Sequence, residues 1–213
     1  MSHGGRDVLR MLKDLAGAPG PALLLRVGDP PVAFLRPVAG RSDRLDPADI
    51  ERLTAWRNRH VHSFLTEFEA TTERTAAWLV ANHPDDSRIL FMVDDPAGTT
   101  FGYMGLASID WEDGVGEADS IVRGAESAPG TMSAALRALI AWGTGPLGLR
   151  RIYIRVRSDN PVMPFYDRLG FVERSRVPLR LEPSETETRR WVEDPAADSG
   201  LFVIHLEAGG TTG

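Results

Sequence analysis

Cysteine is absent from this 213-residue chain, so disulfides, thiolate zinc sites and cysteine nucleophiles are excluded together. Lysine is almost absent: Lys13 stands alone and arginine supplies the remaining positive side chains, a bias of genome composition rather than a sign of phosphate recognition. No apolar run approaches the roughly 20 residues that a membrane span requires. The first residues, MSHGGRDVLRMLKDLAGAPGP, carry charge throughout and no apolar core of a signal peptide, which makes the cytoplasm the expected location. Also missing are the nucleophile elbow, the phosphate loop ending in Gly-Lys-Ser/Thr and the zinc-protease His-Glu-x-x-His pattern. The formal charge of -6 supplies no global attraction to nucleic acid, so neither nucleic acid nor a membrane is an expected partner.

What is present is ordinary globular composition, 42% hydrophobic and 25% charged, enough for one sizeable core. A single domain is expected, with an N-terminal extension over 1–31, a body over 32–207 and a disordered tail over 208–213. Residues 8–15 have helical spacing, and two apolar runs, 22–27 and 32–38, flank Gly28-Asp29-Pro30-Pro31 as a hairpin. Asp46 before Pro47 reads as an N-cap with proline at the first helical position, predicting a helix to His60. A second helix starts at Thr71 or Thr72, with Ala77, Trp78 and Val80 inside, and ends near His83-Pro84. Strands follow over 88–93, 101–109 and 115–123 as an antiparallel meander. Two glycines in the second suggest tight packing or a bulge. A helix over 130–142, a strand over 151–156, a short helix over 161–169 and a strand from Phe171 come next. Residues 183–198 read as a long loop before a last strand, 201–206.

Residues 116–136 join a polar-studded strand to the glycine-marked start of an apolar helix. Free N–H groups and the positive end of the helix dipole favour bound phosphate there, and Gly130 permits close approach. A glycine that merely makes the turn accounts for the pattern equally well. By strand alternation Val115, Glu117, Asp119, Ile121 and Arg123 share one face, and Gly116, Ala118, Ser120 and Val122 the other.

At 158–171, SDNPVMPFYDRLGF, the chain resembles the GNAT acyltransferase superfamily: a strand, an Asn, a helix carrying Tyr, then Leu-Gly-Phe opening a strand. The element order β, α, α, β, β, β, α, β, α, β, β over 32–206 extends the resemblance to most of the chain. The segment LTAWRNRH, 53–60, looks like the first helix of the branch with ribosomal-protein N-terminal and amino-sugar-nucleotide acetyltransferases. The resemblance implies an α/β (α+β) fold with a mixed, mostly antiparallel central sheet, splayed as a V between its fourth and fifth strands and flanked by helices.

It also implies transfer of an acetyl or other short acyl group from acyl-CoA to an amine, with no metal. The donor contacts it implies are Ser120, Ile121 and Val122 on the strand, Ala128, Gly130, Thr131, Met132 and Ser133 at the helix start, and Asn160 and Phe165. Glu117, with Asp119 beside it, takes the place of the base, and Tyr166 that of the acid for the departing thiolate. Sheet solvation for the two carboxylates and simple packing for Tyr166 remain the competing readings. Ser127 and Met132 depart from the family's usual Gln or Arg and Gly or Ala, and Pro129 removes an N–H. The acceptor wall is expected at Trp56, Arg57, Asn58, Asp110 and Trp111. His60 and His62 are too sparse for a metal site. The acceptor is read as a small amine such as an amino sugar nucleotide or natural-product precursor. The alternatives are a protein N-terminus and a catalytically silent binding domain, in a monomer or homodimer.

Overall fold

The computed structural model describes residues 3–20, 23–183 and 187–208. The chain forms two compact units, one from residues up to Trp56 together with Thr71–Ile152, the other from Arg57–Ala70 with the residues from Tyr153 onward. Both belong to a mixed α/β fold of largely antiparallel sheet flanked by helices.

In the first unit α1 (His3–Leu15), expected only from residue 8, buries Leu9 and Leu12. Strands β1 (Leu25–Val27) and β2 (Ala33–Pro37) form the expected hairpin, with Val27 opposite Ala33. Ala22, counted in that hairpin, lies outside the described residues. Helix α2 (Pro47–Arg59) begins as predicted: Asp46 Oδ1 accepts from the Ala48 N–H at 2.9 Å. Its Asp49, buried and unforeseen, is gripped by Arg36 of β2 through bonds of 2.7 and 3.0 Å. Arg36 also reaches Asp94 at 2.7 Å, so both partners of the guanidinium are paired and hydrogen-bonded.

Thr71 caps the third helix, α3 (Thr72–Asn82), and Thr75 and Leu79 form its buried face. Ala77, Trp78 and Val80, expected inside, are exposed, the last two at 41% and 38%: Ala77 and Val80 lie off the Thr75 and Leu79 face, and Trp78, three residues after Thr75, lies at its edge. Strand β4 is Ile89–Asp94 and β5 is Thr100–Asp110, followed by β6 (Val115–Arg123). With β1 and β2 they give the order β1-β2-β4-β5-β6. Helix α4 (Thr131–Thr144) covers one face, burying Met132, Leu136 and Leu139. The helix runs past the expected end at 142, and Gly143 lies within it, where a Cβ would come 2.5 Å from Ile152 Cδ1.

In the second unit the order is β7 (Arg151–Arg157, its first two residues counted with the first unit), β10 (Phe202–Ala208), β8 (Phe171–Glu182), β9 (Arg189–Glu193) and β3 (Thr66–Glu67). Strand β9 overturns the expected long loop over 183–198: alternating residues such as Trp191 and Val192 pair with Leu181 and Arg180 on the end of β8. Ala208 ends β10, and the rest of the expected tail, 209–213, lies outside the described residues. Helix α5 (Met163–Arg168) turns into β8 through Gly170, whose φ of 82° suits glycine.

The second unit has a charged centre. Glu67 and Arg157, each 5% exposed, form an ion pair, and Trp191 donates to the same carboxylate at 2.9 Å. Burial alone would raise the Glu67 carboxyl, but hydrogen bonds from Arg157, Trp191 and His62 outweigh it and hold it down from 4.5 to about 2. A depressed carboxyl contributes stability that is complete above its unfolded value and is lost as the pH falls through its folded value. Glu67→Gln should therefore be less stable in urea by about 3 kcal/mol near neutral pH, because it removes the charge that Arg157, Trp191 and His62 bond, although Asp159 still pairs with Arg157 at 2.7 and 2.8 Å. Wild type should lose this advantage between about pH 4.5 and 2. An equal midpoint for both proteins at pH 7 would contradict the pairing.

Candidate active site

The meander folds around two irregularities. Between Tyr103↔Val122 and Gly105↔Asp119, β6 carries one residue more than β5, and Ser120 there has φ 55°. Between Ala107↔Glu117 and Asp110↔Val115 the extra residue is on β5, with Ser108 at φ 50°. Each is a bulge, which removes a residue from the ladder and turns the strand. The bulge at Ser120 corrects the expected alternation. Glu117 and Asp119 do share a face, opposite Ala107 and Gly105, but Val122 joins them, while Ile121 and Arg123 fall on the other side with Ala118.

Beyond β6 the chain passes Gly124, where a Cβ would lie 1.8 Å from the Trp56 ring. Trp56, 7% exposed, fills that space and stacks on Tyr103 with ring centroids 6.3 Å apart. It is thus a packing residue of the first unit. Gly130 then adopts φ 82° at the N-cap of α4, and Thr131 both donates its N–H to Ala128 O at 3.2 Å and bonds the same oxygen through its hydroxyl. Thr131 N–H is therefore occupied, whereas Met132 and Ser133 stand in the first turn, where N–H groups lack helical acceptors. Ser127 is half-buried, and Ala128 and Pro129 are exposed.

Met132 at the start of α4 is packed inward. Its side chain is 8% exposed and lies against Gly102, where a Cβ would come 3.1 Å from Met132 Sδ. A missing side chain on β5 makes room for the extra one on α4. The sequence signal was the pair of glycines in β5.

The face of β6 bearing Asp119 opens into a shallow cleft. Its floor is the cross-strand row Leu90, Gly105 and Asp119, with Ser120 beyond; Leu79, Asn82, His83 and Arg88 form a wall. Ala107, partner of Glu117, also lines it, and Lys13 of α1 closes one side. Gly105 keeps the floor low: a Cβ there would meet Ile89 O at 2.3 Å. Glu117 is 4% exposed, and Asp119 accepts from Ser120 Oγ at 3.1 Å. Apart from Asp119 and Ser120, none of these cleft residues was anticipated, since five elements, α1, α3, β4, β5 and β6, bring them together.

Other anticipated residues have structural partners. Arg57 lies over the Phe68 ring at 3.8 Å and donates to Thr66 O at 2.8 Å. Asn58 clamps Ala70 through both its amide atoms, at 2.9 and 2.8 Å. Asp110 accepts from the N–H groups of Glu112 and Asp113, making the turn before β6. Trp111 donates to Asp86 O at 3.0 Å. In the second unit Tyr166 is 5% exposed, edge-on to Phe165 and Phe171, and Asn160 N–H donates to Arg157 O at 3.0 Å.

The family model described as an acetyltransferase (GNAT) domain matches residues 43–172. The chain belongs to the GNAT acetyltransferase family. It is therefore an acyl-CoA-dependent N-acetyltransferase of this family. Among solved structures it is similar to the spermidine N-acetyltransferase SpeG of Vibrio cholerae. In complex with CoA and spermine, that protein is 17% identical over 82% of this chain and 94% of its own, with a TM-score of 0.58. The same enzyme with manganese ions is 18% identical over 83% and 91%, TM-score 0.57. Its dodecameric intermediate state is 17% identical over 82% and 92%, TM-score 0.57. At such identity the likeness is one of fold. No curated protein matches the chain. Among the described residues no group of three or more His, Cys, Asp and Glu is placed to hold a metal, and no helix is long and apolar enough to cross a membrane.

The bulge rests on an unusual backbone angle at Ser120. Ser120→Gly should leave the unfolding midpoint unchanged or raise stability by up to about 1 kcal/mol, and Ser120→Val should lower it by about 1–3 kcal/mol. Equal stability of the two variants in urea would argue against the left-handed bulge.

Proposed function

We propose that this GNAT protein acetylates a primary amine of a small molecule, using acetyl-CoA or another short acyl-CoA. The observation that carries the reading is the cleft on the Glu117 and Asp119 face beside the Ser120 bulge. The bulge frees strand N–H capacity, and the start of α4 offers N–H groups of Gly130, Met132 and Ser133 for a pyrophosphate. Ala128 N–H, in the exposed loop, adds to them. The packing of Met132 against Gly102 supports retention of donor binding and weighs against a silent domain. Acetyl-CoA supplies an acyl group activated as a thioester.

An ammonium attacks only after losing a proton, so a carboxylate facing the acceptor must take it. Glu117 fills that role, while Asp119, open to the cleft, holds the ammonium in place. Tyr166 supplies the proton for the departing sulfur; this role rests on the family resemblance at 158–171. Ser120, Ile121, Val122, Asn160 and Phe165 are proposed donor contacts on the same basis. Trp56, Arg57, Asn58, Asp110 and Trp111 are better assigned to holding the scaffold than to touching the acceptor, given their partners. SpeG, whose structure holds CoA and spermine, supports a small amine as acceptor class.

Calorimetric titration with acetyl-CoA, followed by thiol release with an amine panel, tests the reading. We expect binding, and turnover with at least one small amine. Glu117→Gln should lower kcat by about 100-fold and move the rate profile to higher pH, and Tyr166→Phe should lower kcat more than donor affinity. Absence of binding by acetyl-CoA and longer acyl-CoAs would overturn it.

A further inference from the structure

Helix α1 precedes the family-matched residues 43–172, yet it reaches the cleft. It docks on the first unit through Leu9 and Leu12, both buried, and Gly5 lets its backbone come close to Leu147 O. Arg6, Arg10 and Lys13 recur at i, i+4 and i+7, a spacing that sets them on one side of the helix. All three reach the same stretch of chain, the connection from the end of α3 to the start of β4. Arg6 and Arg10 pair with Asp86 at 3.3 and 2.6 Å. The Lys13 Nζ donates to the carbonyls of Asn82, Asp85 and Arg88 at 2.7, 2.5 and 2.9 Å.

These contacts differ in weight. The arginine pairs are solvated, and such pairs contribute little each. Lys13 is 8% exposed, and burial lowers it to about 8, which leaves it mainly protonated near neutral pH. An ammonium has three N–H donors, and each here meets a different carbonyl. Asn82 O lies at the C-terminal end of α3, the negative end of the helix dipole, and Arg88 O immediately precedes β4. One nitrogen thus holds both ends of the connection. Those ends, at Asn82, His83 and Arg88, form a wall of the cleft that Asp119 also lines.

We propose that Lys13 is a positioning residue for acetyl transfer: by tying residues 82, 85 and 88 to α1 it sets the wall of the acceptor cleft, and with it the affinity for the amine. Its donors are spent on the three carbonyls, so it acts through the backbone of the connection rather than on the substrate. The inference rests on the acetyl-transfer reading above and adds the part that α1 plays in it.

The test measures thiol release from acetyl-CoA with spermidine, 2-phenylethylamine and glucosamine 6-phosphate as acceptors, alongside calorimetric binding of acetyl-CoA and unfolding in urea. Lys13→Met, which keeps an unbranched chain and removes the donors, should raise the KM of the most active amine about tenfold, with kcat and the Kd for acetyl-CoA within about twofold of wild type. Lys13→Arg, which still donates, should recover part of that loss. Arg10→Gln, on the same side of α1 and more exposed, should raise the KM by about threefold and serves as the deciding variant if Lys13→Met does not fold. Met11→Gln, exposed and off that side, should change neither KM nor kcat. A purely structural role would lower the active fraction, and so kcat, with KM unchanged. That outcome in Lys13→Met, or an unchanged KM in Arg10→Gln where it decides, would overturn this inference and leave acetyl transfer standing. Inertness of the wild type towards every amine despite acetyl-CoA binding would overturn both.

Discussion

The bulge of β6 at Ser120 is the constraint on which the proposed chemistry depends. One extra residue between Tyr103↔Val122 and Gly105↔Asp119 breaks the regular ladder in the strand that carries both candidate carboxylates. Its cost is a left-handed backbone at a serine, of the order of 1–3 kcal/mol, which the surrounding sheet must overcome. The gain is backbone hydrogen-bonding capacity released beside Glu117 and Asp119, which alternation already places on one face, and Val122 turned to that same face.

Absent side chains shape the first unit as much as present ones. Gly102 admits Met132, Gly105 lowers the cleft floor and Gly124 admits the Trp56 ring. These three accommodations lie along β5 and just past β6, so the start of α4 and the cleft share one scaffold. The polar interior follows a different rule. Arg36, half-buried between Asp49 and Asp94, and Arg157, buried between Glu67 and Asp159, set guanidinium groups among carboxylates, where each charge is satisfied by several hydrogen bonds.

Much of the fold was legible in local chemistry. Asp46-Pro47 set the start of α2, Thr71 that of α3, and Gly170 the turn into β8, because caps and glycine turns act within a few residues. Strands β3 and β9 were not legible: a two-residue strand and a polar five-residue strand carry no periodic signal. The face of Val122 was misread because alternation assumes an unbroken ladder. The cleft escaped notice for a related reason. Lys13, Asn82, Arg88, Gly105 and Asp119 converge only in three dimensions, and the buried partners of Asp49 and Arg157 are likewise distant in sequence.

Amide hydrogen exchange with and without acetyl-CoA tests the central claim most directly, that the β6 bulge and the start of α4 hold the acyl donor. Added acetyl-CoA should slow exchange at residues 120–122 and 130–133 by at least about tenfold. Unchanged exchange in those two segments under saturating ligand would contradict it.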